Sequence, residues 1–304
     1  MSIDIKKSDS SPIVFWNRQT ASYESEKVYG DASLRWAYQT TLGRKLTEWI
    51  LSKAWISQLY GAYQSSGFSR RKIVPFIESF SIAMHEFESG PFHSFNDFFI
   101  RQFKPGIRPF VQNRNQLAAF AEARYLAFES IALDQKFPVK GKFLSAEALL
   151  GNTPWASRFA GGPLLLARLC PTDYHRFHFP DSGRVIDSYR IHGVLHSVNP
   201  VALQVRNDIF ATNERQITIL ETENFGALAY IEVGALCVGK IVQTHTQRQD
   251  FNRGDEKGYF LFGGSTVIVL GEPGKWKPDE DLLDQTQKGR EVLVRLGEGV
   301  ASRS

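Results

Sequence analysis

A change in the hydrophobic pattern near residue 106 sets the fold class of this chain of 304 residues. Before it, apolar and aromatic residues recur at helical spacing, and we expect helices over 31–63, 70–88 and 92–103. After it, short apolar or alternating runs are separated by turns, as is typical of β-strands. We therefore predict an α+β protein with a helical N-terminal region, 1–106, and a β-rich domain, 107–304.

Finer expectations follow from the same pattern. The expected strands are Tyr125–Phe128, Leu164–Leu169, Val185–Ile191, Gln216–Leu220, Ala227–Val233, Val238–Gln243 and Val267–Leu270. Short helices are expected over 142–150 and 279–290, and residues 1 to about 30 are expected to be mostly irregular. Asp31 is a candidate N-cap of the first helix, and Gly43 is a candidate bend within it. Pro75 fits the expected helix 70–88 if it lies in the first turn.

Composition excludes several classes of protein. Hydrophobic residues make up 42% of the chain and charged residues 22%, which is ordinary for a globular protein. No apolar run of about 18 residues predicts a transmembrane helix, and residues 1–11 lack the apolar core of a signal peptide. Cys170 and Cys237 form neither a disulfide framework nor a metal-binding pattern, which favours a reducing compartment and no metal. Any membrane role is therefore expected to be peripheral.

The expected first helix combines aromatic and basic residues. Three of the six tryptophans fall between residues 36 and 55, interleaved with arginine and lysine. A helix of this kind lies flat at a bilayer interface, but the same stripe can also dock on the helix's own domain. A net charge of +4 favours acidic partners such as anionic membranes, whereas no Lys/Arg run is long enough to predict nucleic-acid binding.

A serine stands between a turn and a strand close to the C-terminus. Ser265 follows Gly263 and Gly264 and precedes an apolar, mostly β-branched run, and glycine allows backbone conformations that other residues avoid. In that position, the Ser265 hydroxyl could add to the Gly264 carbonyl, convert the peptide bond to an ester, and eliminate. The chain would be cut and a pyruvoyl group would be left on the new N-terminus. By itself, however, Gly-Gly-Ser-Thr is more typical of ordinary turns than of self-cleavage.

Other segments of the sequence favour a functional role for this motif. They are Leu169-Cys170-Pro171-Thr172-Asp173-Tyr174-His175-Arg176-Phe177-His178, Phe120-Ala121-Glu122-Ala123-Arg124, Asn199-Pro200, Asn213-Glu214-Arg215, Val233-Gly234-Ala235 and Ser94-Phe95-Asn96-Asp97-Phe98-Phe99. In combination with Phe-Gly-Gly-Ser-Thr, and in this order, they resemble the phosphatidylserine decarboxylase family of pyruvoyl enzymes. The resemblance covers roughly residues 13–275.

The resemblance implies a lipid-modifying enzyme that processes itself. Cleavage between Gly264 and Ser265 would give a β chain, 1–264, and an α chain, 265–304, with a covalent pyruvoyl cofactor derived from Ser265. The reaction would convert phosphatidylserine to phosphatidylethanolamine and CO2, with the carbonyl of the cofactor as electron sink. A lipid substrate favours membrane contact by the N-terminal helices. The family also implies a homodimer and peripheral association with the cytoplasmic face of the cell membrane.

The resemblance also assigns catalytic roles. His178 would be the base that takes the Ser265 proton during self-cleavage, and His175 would protonate the substrate carbanion. Glu122 stands where the family usually has an aspartate, and would orient the base by the logic of a catalytic triad. An ordinary salt bridge is the other interpretation of Glu122. Pro171 and Pro180 bracket the two histidines and favour an extended or loop conformation between them. A zinc site at the paired histidines lacks further ligands at familiar spacing.

Two alternative functions stay open. A soluble amino acid, such as an aromatic one, could be decarboxylated by the same chemistry. A chain that no longer processes itself could instead act as a membrane scaffold, an interpretation that the departure at Glu122 keeps open.

Overall fold

We describe the protein from a computed structural model, which describes residues 12–51, 54–131, 145–205, 208–235, 240–245, 250–263 and 265–304. Sixteen strands and ten α-helices make up this part of the chain. The strands are β1 Val14–Asn17, β2 Ser22–Ser25, β3 Gln116–Ala118, β4 Ala123–Phe128, β5 Leu164–Leu169, β6 Arg176–His178, β7 Gly183–Ile191, β8 Arg215–Thr222, β9 Gly226–Val233, β10 Ile241–Gln243, β11 Asp250–Phe251, β12 Glu256–Phe260, β13 Ser265–Gly271, β14 Trp276–Pro278, β15 Val292–Val294 and β16 Gly299–Arg303.

Most of the long helical segments precede the strands, which confirms the α+β class. The helices are α1 Asp31–Gln39, α2 Thr41–Leu46, α3 Ala54–Gln64, α4 Ile73–Phe80, α5 Phe95–Phe99, α6 Ala146–Leu150, α7 Pro154–Phe159, α8 Pro200–Val205, α9 Ile209–Thr212 and α10 Glu280–Gln287. A π-helical turn, Thr47–Leu51, follows α2, and 3₁₀ turns occupy Gly67–Lys72 and Met84–Glu86. None of the helices in the described ranges is long and apolar enough to cross a membrane.

A ten-stranded sheet organises the β-rich part. Its order is β11-β7-β8-β9-β13-β5-β4-β15-β1-β2, and every neighbouring pair is antiparallel except β1 with β15. Strand β13 lies in the interior of this sheet, with Ser265 opposite Leu169 of β5 and Thr266 opposite Val233 of β9. All seven of its residues are buried, as expected for an apolar, β-branched run that is covered on both faces.

Two smaller sheets complete the β-structure. One has the order β10-β12-β6 and the other β14-β16-β3. The first of them matters for function, because β6 ends at His178 and β12 leads into the Gly-Gly-Ser segment.

The expectation of one helix over 31–63 is wrong in its continuity. The break comes at Thr40, whose backbone is extended and whose hydroxyl accepts a hydrogen bond from the N–H of Gly43 at 3.0 Å, capping α2. Gly43 itself lies inside α2, where an added Cβ would come within 2.0 Å of the Trp36 carbonyl oxygen. The N-cap of α1 is Gly30 rather than Asp31, and Asp31 instead pairs with Arg35 one turn later.

The other helical expectations hold in part. The segment 70–88 is divided between a 3₁₀ turn, α4 and a second 3₁₀ turn, with Pro75 in the first turn of α4 as expected. Within 92–103 only α5 is helical, and Ser94 caps it by accepting from the N–H of Asp97. The expected helix over 142–150 is seen as α6, while 142–144 lie outside the described residues.

The expectation that residues 1 to about 30 are mostly irregular holds for most of the described residues 12–30, but it misses two short strands. Strands β1 and β2 pair with each other, and β1 adds to the main sheet beside β15. Phe15 anchors this hairpin in the interior. Residues 238 and 239 of one expected strand lie outside the described residues, and the rest of it is β10.

A second apolar cluster joins the helices to the Gly-Gly-Ser segment. Its buried members are Ile73, Phe76, Phe95, Phe98, Phe99 and Phe262. Phe262 contacts the ring of Phe99 at a centroid distance of 4.9 Å and the ring of Phe95 at 5.1 Å. The helices of the N-terminal region therefore pack directly against the chain that leads into Ser265.

Candidate active site

Ser265 begins the interior strand β13, and its hydroxyl is buried. Its Oγ has no hydrogen-bond partner within the described part of the chain. A buried hydroxyl without a partner costs free energy, so the fold holds this group at an energetic cost. Gly263 has a φ of 147°, a backbone conformation that residues other than glycine rarely adopt. The unusual backbone that we expect from the two glycines is therefore present at Gly263. Gly264 lies outside the described residues.

His175 lies beside this segment. Its Nδ1 is 2.9 Å from the Asp173 carbonyl oxygen, so Nδ1 carries the hydrogen and Nε2 the lone pair. Nε2 has no hydrogen-bond partner within the described ranges. The backbone of Gly263 is nevertheless near enough to raise the pKa of the ring slightly. The ring also packs on Phe99 at 3.8 Å between centroids.

Burial controls the charge of both histidines. For His175, the pKa is lowered to about 3, chiefly by burial and also by the nearby Arg101 cation, while the backbone of Asp173 and Gly263 opposes the shift. For His178, burial likewise lowers the pKa below its ordinary value. Both imidazoles are therefore neutral near pH 7, which leaves a ring nitrogen lone pair in each.

His178 ends β6 in an extended segment, as the flanking prolines predicted. Its Nδ1 is 2.9 Å from the Gly254 carbonyl oxygen, and its Nε2 is 3.3 Å from the Tyr174 hydroxyl. The ring of Tyr174 also lies nearly parallel to the imidazole, 5.9 Å away. Because Nδ1 faces a carbonyl, Nε2 is the acceptor for the Tyr174 hydroxyl.

Glu122 pairs with an arginine. Its carboxylate accepts from Arg108 Nε at 2.5 Å and Nη2 at 2.9 Å, and the same arginine also binds Glu86. The N–H of Leu296 donates a weaker bond at 3.3 Å. This is the salt-bridge arrangement that the sequence left open as the other interpretation of Glu122.

The structure thus brings some of the expected site residues close to Ser265 and does not join the others by hydrogen bonds. His175 lies against the segment that carries Ser265, whereas the hydrogen bonds of the described residues join neither Glu122 to His178 nor His178 to Ser265. Tyr174 and Arg108 are the partners that sequence reasoning missed. Tyr174 was visible inside the quoted Asp-Tyr-His motif, but Arg108 lies 14 residues before Glu122 and carried no such signal.

A cavity of about 600 Å³ opens next to the Gly-Gly-Ser segment. Its wall is formed by Glu26, Val28, Tyr29, Gly30, Ser33, Ala37, Tyr60, Arg168, Leu169, Cys170, Pro171, Ser197, Val198, Asn199, Phe262 and Gly263. The volume suits a small-molecule group or a lipid headgroup, and most of the lining is apolar with a few polar side chains. The cavity therefore gives a ligand access to the chain beside Ser265.

A buried network of charges braces one side of this cavity. Arg168 binds Glu26 and Glu291, and Arg124 binds Glu26 and Asp173. Asp173 Oδ2 also accepts from the N–H of Cys170 at 2.7 Å. The network fixes the turn that leads to His175, because Asp173 holds it from both its side chain and its carbonyl.

Large apolar side chains are exposed on the N-terminal helical region, of which α1 and α3 contribute to the cavity wall. Those in the N-terminal helical region are Trp36, Leu42, Trp49, Ile50, Trp55, Leu59, Phe68 and Val74. Two of them, Trp36 and Leu59, are chain neighbours of the lining residues Ala37 and Tyr60. A basic 3₁₀ turn, Gly67–Lys72, carries Phe68. Clustered exposed apolar residues beside basic ones are typical of a surface that contacts a membrane or a protein.

Comparisons with known proteins show which family the chain belongs to. A family model described as phosphatidylserine decarboxylase matches residues 95–302. The phosphatidylserine decarboxylase proenzyme of Desulfitobacterium hafniense (strain Y51) is 43% identical over 293 residues, covering 96% of this chain and 98% of that protein. The proenzymes of Clostridium novyi (strain NT) and Clostridium perfringens (strain SM101 / Type A) are 41% and 40% identical over the same share of this chain, covering 99% and 100% of those proteins.

Fold, site and comparisons define an enzyme of the decarboxylase class, a carboxy-lyase. Within that class, the chain belongs to the phosphatidylserine decarboxylase family.

Proposed function

We propose that this protein converts phosphatidylserine to phosphatidylethanolamine and CO2 with a pyruvoyl group that it makes from Ser265. The observation that carries the proposal is the buried Ser265 hydroxyl, which has no hydrogen-bond partner among the described residues. It lies at the head of an interior strand, beside a neutral histidine and a cavity. The names of the relatives, phosphatidylserine decarboxylase proenzymes, support both the substrate and a processing step.

The self-cleavage step balances without an external reagent other than water. The Ser265 oxygen attacks the Gly264 carbonyl as a base removes its proton, and the C–N bond breaks to leave an ester and a free amine. Loss of the Ser265 α-proton then expels the Gly264 carboxylate. Hydrolysis of the remaining imine consumes one water and releases one ammonia. The products are a chain ending at residue 264 and a chain beginning with pyruvoyl.

The proposed base for this step is His178. Its lone pair is on Nε2, where the Tyr174 hydroxyl now donates, so Tyr174 would have to release it or relay the proton. Glu122 is close enough to Tyr174 to help raise the pKa of its hydroxyl, although burial is the main cause. Glu122 would therefore act on His178 through Tyr174, in place of the direct contact expected from a triad.

The residues around Ser265 fit a pyruvoyl group. Such a group has a carbonyl that draws electrons as CO2 leaves, and it needs neither a metal nor a diffusible cofactor to do so. The cavity wall at Gly263 would leave room for the substrate headgroup, and an apolar lining excludes water. The described residues also show no cluster of His, Cys, Asp and Glu that could hold a metal ion.

His175 is proposed to move the proton of the decarboxylation. Its role would be to deliver a proton to the carbon that loses CO2, as the family resemblance implies. Burial lowers the pKa of His175 to about 3, so the imidazole is neutral before the reaction and readily gives up any proton that it carries. The contact with Asp173 and the ring of Phe99 hold the imidazole in one orientation.

We also propose that residues 1–106 form one functional region. The helices of this region would dock on an anionic membrane at its cytoplasmic face. The exposed tryptophans and the basic turn Gly67–Lys72 support docking, and no described helix could span the bilayer. A homodimer is a further part of the proposal, inherited from the family resemblance.

The test is the intact mass of the purified protein under denaturing conditions. We expect two chains in place of one of 34.4 kDa, with the smaller beginning at residue 265. It should be lighter than the same peptide with an N-terminal serine by the mass of one ammonia, as pyruvoyl requires. Ser265→Ala should give a single uncut chain. A wild-type chain that stays uncut would contradict self-processing.

One observation favours a second candidate, a membrane scaffold that does not process itself. Glu122 is engaged by Arg108, so it is not free to orient a base directly. The same mass measurement separates the two, and Glu122→Asp serves as a second arm. Cleavage that appears only in Glu122→Asp would identify the natural chain as a non-processing scaffold.

A different experiment distinguishes a soluble amino acid from phosphatidylserine as the substrate. Activity on phosphatidylserine vesicles is compared with activity on a soluble analogue, before and after removal of the N-terminal helices. Loss of the vesicle activity alone supports the lipid substrate, whereas equal survival of both activities contradicts docking by the helices.

A further inference from the structure

Asn96 is a buried amide that joins the helical region to the segment before Ser265. It lies in α5 and is only 3% exposed. Its Oδ1 accepts a hydrogen bond from the N–H of Phe262 at 2.8 Å. Its Nδ2 donates to the Ser65 hydroxyl at 2.8 Å and to the Gly61 carbonyl at 3.4 Å. None of the proposed catalytic steps uses this side chain.

The bond to Phe262 acts at the start of the processing segment, defined here as Phe262, Gly263 and Ser265. Phe262 is held by its backbone N–H on Asn96 and by its ring against Phe95 and Phe99. Phe99 in turn packs on the His175 ring at 3.8 Å. One short helix therefore positions both the segment that carries Ser265 and the imidazole beside it.

The other side of Asn96 reaches the end of α3. Gly61 is within α3 and Ser65 directly follows it, so the two bonds from Nδ2 bind the C-terminal end of that helix. A second link joins α5 to the end of α3 through Ser69. The N–H of Phe95 donates to the buried Ser69 hydroxyl, which itself donates to the carbonyl of Gln64, the last residue of α3. The helix α3 also carries exposed Trp55 and Leu59. The processing segment is thus tied to one of the helices proposed to dock on the membrane.

We propose that Asn96 is a positioning residue for self-cleavage: its Oδ1 fixes the backbone of Phe262 so that Ser265 meets the preceding carbonyl. The inference rests on the self-processing proposed above. An acceptor is needed at this point because the N–H of Phe262 is buried, and leaving it unpaired would allow the segment to move towards another partner. Displacements of about 1 Å are enough to slow a reaction between two groups on one chain.

The experiment compares variants that keep or remove the acceptor. Asn96→Asp keeps an oxygen for the Phe262 N–H but loses the amide donors to Ser65 and Gly61. Asn96→Leu loses both, and Ser65→Ala loses a single bond to α3. Asn224→Leu is the control. Asn224 lies in the turn between β8 and β9, at the end of those strands that is remote from Ser265, and its amide donates to Asp181.

The measured quantities are the rate of appearance of the fragment 265–304 after cell-free synthesis of the full chain, and the thermal midpoint of each uncut chain on a Ser265→Ala background. We expect Asn96→Leu to slow cleavage about 10- to 100-fold, the effect of an unpaired buried donor on a barrier. Asn96→Asp and Ser65→Ala should cleave within about threefold of wild type. Asn224→Leu should lower the midpoint without slowing cleavage.

A purely structural asparagine predicts a different order. Asn96→Asp buries a charge, so it should lower the midpoint at least as much as Asn96→Leu. If cleavage follows the midpoint, with Asn96→Asp as slow as Asn96→Leu, positioning is wrong. Equal cleavage in Asn96→Leu and wild type would also overturn it. If Asn96→Leu does not fold, Asn96→Ala takes its place in the same comparison.

Failure of this inference differs from failure of the proposed function. If the wild-type chain is never cut, self-processing fails and the inference fails with it. If the wild-type chain is cut and Asn96→Leu is cut at the same rate, only the role of Asn96 is wrong.

Discussion

The helical region and the central sheet distribute their side chains in opposite ways. Between residues 31 and 80 the protein exposes large apolar groups, with Trp49 76% and Phe68 80% accessible. The sheet instead buries ionised groups, among them Arg168 at 2% and Glu232 at 0% exposure. Each arrangement is costly when considered alone, since water disfavours apolar surface and a protein interior disfavours charge.

The difference shows where each region finds its partners. Every buried charge in this comparison is paired inside the chain: Arg168 with Glu26 and Glu291, and Glu232 with Lys257. The exposed tryptophans have no comparable cover within the described chain, which is what a surface for an external apolar phase requires. We infer that charge inside stabilises a fixed site, while apolar surface outside serves association.

The largest expected effect is on the buried pair of the sheet. Lys257 Nζ lies 2.6 Å from Glu232 Oε1 and 3.0 Å from the Thr218 hydroxyl. Removing only the cation, in Lys257→Met, should lower the free energy of unfolding by about 3–5 kcal/mol because a buried carboxylate is left unpaired. Chemical denaturation measures this. The double variant with Glu232→Leu should be less destabilised than Lys257→Met, and an equal or larger loss would show that the pair is net stabilising.

A matched pair of leucine truncations tests the comparison directly. Leu270 is fully buried in β13, whereas Leu59 of α3 is 63% exposed. We expect Leu270→Ala to cost about 2–5 kcal/mol of unfolding free energy, from lost burial and a residual cavity. Leu59→Ala should change it by less than about 0.5 kcal/mol. A large loss at Leu59 in thermal or denaturant unfolding would mean that α3 is covered within the protein.

Acid should weaken the charge network of the sheet region. Burial alone would raise the pKa of Glu26, but Arg168 and Arg124 outweigh it and lower the pKa to about 2. A carboxyl group with a depressed folded pKa gives stability that is present above its unfolded pKa, near 4.5, and lost as the pH falls towards 2. The full contribution is about 3 kcal/mol. In denaturant unfolding from pH 6 to 2.5, Glu26→Gln should flatten the decline, and an unchanged slope would contradict the pairing.

The smallest effect on stability is expected at the exposed tryptophans. Trp49→Ser should change the free energy of unfolding by less than about 0.5 kcal/mol. Binding to phosphatidylserine-containing vesicles should nevertheless weaken by about tenfold, since a large apolar side chain gains 1.5–3 kcal/mol when it leaves water. Co-sedimentation measures binding, with Ile186→Ser on β7, far along the chain from the helices, as the control. Equal binding by wild type and Trp49→Ser would exclude this face from the membrane contact.

Local pattern predicted the elements that are stabilised locally or fully buried. The apolar run at 267–270 gave β13, and Pro75 fell in the first turn of α4, as its missing N–H requires. The prolines at 171 and 180 correctly indicated an extended segment around His178. These features depend on residues within a few positions of one another, so one sequence contains the information.

Elements that depend on distant partners were not predictable in the same way. Strand β1 is only four residues long and pairs with β15, nearly the whole chain away. The Arg108–Glu122 pair depends on how two loops pack, and no spacing in the sequence signals it. The break at Thr40 replaced the expected bend at Gly43 because the threonine hydroxyl caps α2 better than a glycine would. In the first two cases a tertiary contact decided the outcome, whereas the cap at Thr40 is a local contact that the apolar pattern did not reveal.

The interior position of β13 has a consequence for a cut at residue 264. The residues after that point supply β13 between β5 and β9, β15 between β4 and β1, and β16 between β14 and β3. Detaching them would open the main sheet at two separate places and leave long rows of backbone donors and acceptors without partners. Dilution therefore would not part the two chains, and a synthetic copy of the shorter one would not exchange into the native protein. The scission would be irreversible in chemistry yet leave the assembly as inseparable as a single polypeptide.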